Sequence, residues 1–354
     1  VAAKTQEEPP WAAELVAEAQ RITADLTRPN ARIYWTDLLL TAAALYSGLA
    51  LTVLARGPLA WAGGLLCGLA LYRGVSFIHE LTHLRSDQTP GFRTGWNILI
   101  GIPFLAPSLL YEGVHNLHHL KQLYGTPDDP EYLPLSHRRP IVLVGFLATA
   151  ALAPLGAFLR FAVLAPLSFL FPSLRGPVVG RFSAMSINPA FRRQDLAAAR
   201  RPTWRAQEIG AWLWSWGLVA LVARGGLAAH AVLAAAAIMA VVAVVNQLRT
   251  LVAHSWTSDG DPMSIADQFL DSINVPPPGV APLLWAPVGL RYHALHHLAP
   301  GVPYHGLAEA HRRLVAALPA TSDYHRAQHR GLSAPLRALI GRSSAYARGP
   351  EGRA

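Results

Sequence analysis

Charge is scarce in this chain. Only 14% of its 354 residues are Asp, Glu, Lys or Arg, where a soluble domain carries about 25%. That argues against an ordinary soluble enzyme. Cysteine is nearly missing too. Cys67 stands alone inside an apolar run, so no intrachain disulfide can form and nothing points to an oxidising compartment. The stretch VAAKTQEEPPWAAELVAEAQRITADLTRP lacks the apolar core a secretory signal needs. Basic helices interleaved with base-stacking aromatics are also lacking, so no nucleic acid is expected as a partner. The net charge of +9 reads instead as a face against anionic lipid.

Long apolar runs are abundant. A membrane-spanning helix takes about 20 apolar residues. WTDLLLTAAALYSGLALTVL (35–54) and LAWAGGLLCGLALYRGVSF (59–77) qualify, separated only by ARGP, and predict a tight hairpin. AQEIGAWLWSWGLVALVA (206–223) and LAAHAVLAAAAIMAVVAVV (227–245), joined by RGG, predict a second. Two stretches are irregular. GWNILIGIPFLAPSLL contains Pro103 and Pro107, and 141–171 contains Pro154, Pro166 and Arg160. Four spans are therefore expected, or six if 141–171 crosses twice. Arg73 is expected to reach the membrane interface. Basic residues crowd the N-terminal region, 85–139, 175–205 and the last hundred residues, while the hairpin linkers hold only Arg56 and Arg224. The positive-inside tendency then puts both termini and all long loops in the cytosol. Trp11, Leu15, Ala19, Ile22 and Leu26 follow helical spacing behind Pro9 and Pro10, which predicts an amphipathic helix on the membrane surface. The expected fold is an all-α integral membrane protein, with two transmembrane helical hairpins capped by a helical cytosolic domain. The expected divisions are an N-terminal segment 1–32, a membrane domain 33–311 and a basic cytosolic tail 312–354.

The histidines carry the chemistry. HELTH supplies His79 and His83, HNLHH supplies His115, His118 and His119, and HALHH supplies His293, His296 and His297. On a helix, positions i, i+3 and i+4 share a face, so each group can aim several imidazoles at one centre. His254 follows the last apolar run. HELTH alone fits H-E-x-x-H, the zinc protease pattern. Nine clustered imidazoles exceed the four ligands of a tetrahedral zinc and suit two metal ions. Imidazole serves iron, copper and zinc alike, so ligand type does not name the metal.

These three boxes resemble the membrane-bound fatty acid desaturase superfamily, whose mark is H-x(3,4)-H, H-x(2,3)-H-H and H/Q-x(2,3)-H-H. Two boxes follow the first hairpin and one follows the second, over roughly 35–311. The resemblance implies a centre of two non-haem iron ions that uses O2 and two external electrons to attack an unactivated C–H bond. His79, His83, His115, His118, His119, His293, His296 and His297 would then be catalytic iron ligands. His254 is favoured over Asn246 as an extra ligand; eight residues apart, the two would sit about 12 Å apart on a straight helix. Glu80, Asp87, Asp128, Asp129, Asp259, Asp261 and Asp267 are candidates to orient the imidazoles. His137, His230, His305, His311, His325 and His329 are expected to be structural or surface residues.

No H-P-G-G signature of a fused cytochrome is present, so the resemblance implies an external electron donor such as a ferredoxin or cytochrome. An acyl-chain desaturase in a bacterial-type inner membrane is expected, acting on a lipid or acyl-chain substrate. A hydroxylase or ketolase of the same superfamily, acting on a lipid or carotenoid, is the alternative. A membrane zinc protease would have no use for two H-x-x-H-H groups. A metal carrier would place ionisable residues along a path through the bilayer, and the expected spans are almost free of them.

Overall fold

The computed structural model describes residues 8–349. Its regular structure is helical, and the described residues pair strand-like only at isolated bridges. Helix α1 spans Pro10–Thr23, α2 Ala31–Leu54 and α3 Pro58–His83. Asn30 caps α2, its side chain accepting the backbone N–H groups of Arg32 and Ile33. Gly57 turns the chain with φ 61°, and Pro58 opens α3 at a position where no backbone N–H is needed. The two helices lie close because small residues face each other. A Cβ on Gly48 would sit 2.6 Å from the Cys67 nitrogen, and one on Gly63 would sit 2.7 Å from the Thr52 nitrogen. Gly48→Ala must push the backbones apart. It is expected to destabilise by about 1–3 kcal/mol, read as a lower unfolding temperature in detergent. Arg73 is about a third exposed. It forms an ion pair with Asp37 across the hairpin, and Tyr304 donates to the same carboxylate at 2.9 Å.

Among the described residues, four helical segments are long and apolar enough to cross a membrane: Ala31–Leu54, Pro58–His83, Ala153–Leu170 and Ala229–Leu251. The number agrees with the sequence, but the membership differs. The 141–171 run folds as α5 (Pro140–Ala150) and α6 (Ala153–Leu170), two unequal arms with a π turn at Leu159–Leu164. After α7 (Pro172–Phe182) come α8 (Pro202–Ala223) and α9 (Ala229–Leu251). Helix α8 has 22 residues but carries Arg205 and Glu208. Glu208, fully buried, binds Arg160 of α6 and Arg175 of α7, each at 2.5 Å. Arg160 is thereby neutralised inside an apolar segment, where an unpaired charge would be costly.

The remaining helices cover one end of the bundle. Helix α1 does not need a lipid surface for its apolar stripe. Leu15 and Ala19 are buried against Leu307, Ala310 and Leu314 of α11 (Tyr304–Ala317), with Trp11, Ile22 and Leu26 at the edge. The expected basic tail forms α12 (Ser333–Arg348) and packs down. Leu339 is buried with Tyr132 and Trp256, and Ser343 donates to the Arg138 carbonyl at 2.5 Å.

Candidate metal centre

All nine histidines named from the boxes and the last apolar run meet at this covered end. His79 and His83 occupy the last turns of α3. His115 and His118 sit on the single-turn helix α4 (His115–His118), with His119 as its C-cap. His293, His296 and His297 lie on the short helix His293–Leu298. Helix α9 ends at Leu251, so His254 is not on it. It sits in a turn held by Ser255 N–H donating to the Asp271 carbonyl at 2.7 Å and Ile273 N–H donating to the Ala253 carbonyl at 2.9 Å.

The side chains form two groups of four: His79, His83, His115 and His296, and His118, His254, His293 and His297. In each group, one nitrogen per residue lies within 4.8 Å of the others. Each group draws on separated sequence segments. His119 stands where they meet, its Nε2 at 2.9 Å from His115 Nε2 and 3.1 Å from His296 Nε2, with its ring 4.6 Å from that of His297. His254 and His293 face each other Nε2 to Nε2 at 2.9 Å. Both nitrogens of His79, and Nε2 of His83 and of His118, are buried with no hydrogen-bond partner among the described residues. Buried polar atoms are normally satisfied. Convergent lone pairs and unpartnered nitrogens of this kind fit a pair of metal ions.

A second layer fixes the rings. His118 Nδ1 donates to the Asp129 carboxylate at 2.9 Å, which also accepts backbone N–H groups from Gly125 and Glu131. His115 Nδ1 donates to Glu131 at 3.1 Å, and Tyr111 donates to the same carboxylate at 2.7 Å. His254 Nδ1 donates to Tyr124 Oη at 2.8 Å, which in turn donates to Asp271 at 3.2 Å. In all three cases Nδ1 is occupied and Nε2 is left for the centre, the arrangement that orients metal-binding imidazoles.

Of the acids named from sequence, only Glu80 and Asp129 are at the histidines. Glu80 lies 3.8 Å from His79 Nδ1, beyond hydrogen-bond reach, and is held by Tyr34 Oη at 2.5 Å and Tyr304 N–H at 3.1 Å. Those bonds tie α2, α3 and α11 together. Asp87 pairs with Arg85, Asp267 binds Ser264 at a helix start, and Asp259 faces His137 at 3.6 Å. Asp128 and Asp261 contact no histidine. Sequence reasoning missed Glu131 and Asp271. Glu131 had a local signal, the acidic turn DDPEY that also holds Asp129. Asp271 had none, being 17 residues past His254. The other histidines stay apart from the centre: His305 accepts the Asn30 N–H, and His311 bonds Tyr324.

Burial and the surrounding imidazoles hold His115, His119, His293, His296 and His297 well below the ordinary histidine pKa. Burial also lowers His254, against the pull of Asp271. These rings are neutral donors at neutral pH. Burial works against a charged His118 as well, but the Asp129 carboxylate prevails and raises it. Burial pushes Glu131 up to about 7. Asp129→Asn removes the acceptor that fixes the His118 ring. It is expected to weaken metal retention about 10–100-fold, measured by iron content after dialysis against a chelator.

A cavity of about 890 Å³ opens beside the centre. His79, His115, His254 and His293 line one part; Leu71, Val75, Gly145, Ala153 and Ala157 line another. Its size matches sites for whole small ligands. Asn246 lines this space.

Residues 56–329, which include all nine histidines, match the fatty acid desaturase family. The ceramide hydroxylase of Caulobacter vibrioides (strain NA1000 / CB15N) is 54% identical over 329 residues, 93% of this chain and 93% of that protein. Membrane-length helices and histidine groups that could hold metal agree with that match, and the chain belongs to the fatty acid desaturase family of membrane oxidoreductases.

Proposed function

We propose that this chain is a lipid hydroxylase acting on a ceramide-type lipid at a di-iron centre. The reading is carried by the 54% identity, over nearly the whole chain, to a protein named for ceramide hydroxylation. Hydroxylation therefore takes precedence over the desaturation expected from the boxes, which both reactions share. Two iron ions, when bound, would supply O2 reduction with two electrons from an external ferredoxin or cytochrome. One oxygen atom enters a C–H bond; the other leaves as water with two protons.

The residues have separable tasks. His79, His83, His115 and His296 would hold one ion, and His118, His254, His293 and His297 the other. His119 can serve either, since its Nε2 approaches the first group and its ring approaches His297. Asp129, Glu131 and the Tyr124–Asp271 pair keep Nδ1 protonated and Nε2 free. The cavity wall would hold hydrocarbon next to the histidines and keep bulk water from it. The covered end would face the cytosol of a bacterial inner membrane, where the electron donor can reach it.

Mass spectrometry of lipids from cells with and without the protein tests the reaction. Ceramides gaining one oxygen atom are the expected product. Loss of two hydrogens without oxygen gain would instead make it a desaturase.

A further inference from the structure

Helix α9 borders the cavity with two kinds of surface. Met239, Val242 and Ala243 are apolar, whereas the last turns contribute Asn246, Gln247 and Arg249. From Asn246 to Arg249 the helix rises only about 5 Å, and the chain then leads to His254. The polar stretch of α9 thus leads toward the histidine centre, and the part of α9 further from it is apolar; Arg160 and Thr149 also line the cavity.

A plain hydrocarbon chain has no use for these groups. Among the described residues, the side chains of Asn246 and Gln247 have no hydrogen-bond partner, and Arg249 forms no ion pair, although it lies beside the Tyr72 hydroxyl and within electrostatic reach of the Glu131 carboxylate. Arg249 Nε is buried without a hydrogen-bond partner. Thr250 beside them is already engaged, donating to the Asn246 carbonyl at 2.9 Å. Polar groups left open inside a cavity are matched to polar groups on what enters it. A guanidinium offers only donors, while two carboxamides offer both donors and acceptors. Amide carbonyls and hydroxyls in close succession have the complementary chemistry.

We infer that Asn246, Gln247 and Arg249 grip the polar head of an N-acyl lipid, so that the oxidised carbon lies within a few bonds of that head. Arg249 donates to the amide carbonyl, and the two carboxamides take the neighbouring hydroxyls and N–H. The hydrocarbon tails occupy the apolar remainder. This inference rests on the ceramide-type reading above.

Retention of lipid by the purified full chain, without reductant, tests it by native mass spectrometry. A ceramide competes with a chain-matched fatty alcohol that lacks the amide. The parent protein should favour the ceramide about tenfold, the worth of one or two good hydrogen bonds. Arg249→Met should lose that preference while iron content stays unchanged. The Asn246→Leu/Gln247→Leu double variant carries the same test if Arg249→Met does not accumulate. Tandem mass spectrometry of the product should place the new hydroxyl near the head. An undiminished preference in the variants, or a hydroxyl at mid-chain or the chain end, overturns the inference. The functional reading fails separately, if the parent with O2 and electrons leaves ceramide unoxidised; the binding comparison still reports on the three side chains.

Discussion

His118→Ala and His296→Ala should each abolish activity, by more than about 100-fold, while the protein still inserts into the membrane. The two residues belong to different histidine groups, so each variant removes one donor from one ion only. A ring that merely orients a ligand is worth about 10–100-fold in metal affinity, and losing the ligand itself should exceed that. Iron should fall from two ions per chain toward one in either variant. Both side chains are buried among other imidazoles; His118→Ala also takes the imidazole from Asp129, whose carboxylate keeps the backbone N–H groups of Gly125 and Glu131, so the fold should survive. Membrane-fraction yield, iron analysis and lipid product together check this. Full activity in either variant would remove the two-ion assignment.

Glu208→Gln should destabilise the membrane region by about 3–5 kcal/mol, the usual cost of deleting one partner of a buried ion pair. Its carboxylate is fully buried and receives Arg160 on one oxygen and Arg175 on the other. Glutamine keeps the shape but leaves two guanidiniums without a countercharge. Combining Arg160→Met with Glu208→Leu should recover part of the loss, because of the two guanidiniums only Arg175, about a quarter exposed, is then left without a countercharge. The check is the unfolding temperature in detergent for the single and double variants. Equal stability of Glu208→Gln and the parent would mean that the cluster is not holding α6, α7 and α8 together.

Much of this was legible beforehand where periodicity and length carry the information. The first hairpin appeared as two apolar runs with a Gly-Pro turn, and the histidines appeared at helical spacing. The 141–171 run was not legible, because its prolines interrupt the pattern and Arg160 looks misplaced until Glu208, 48 residues later, is seen beside it. The spacing in α1 predicts an amphipathic helix, as found, but does not say which surface buries its stripe. A stripe of Leu15 and Ala19 fits a lipid surface as well as it fits α11.

The all-helical membrane architecture and the grouping of the nine histidines follow from apolar length and i, i+3, i+4 spacing, which are local properties of the chain. How those histidines divide into two groups, that His254 lies past its helix to join one of them, and that Glu131 and Asp271 stand behind the rings emerge from the folded packing. Those are contacts between segments up to more than two hundred residues apart. Such contacts depend on how the helices pack, and no local pattern encodes that.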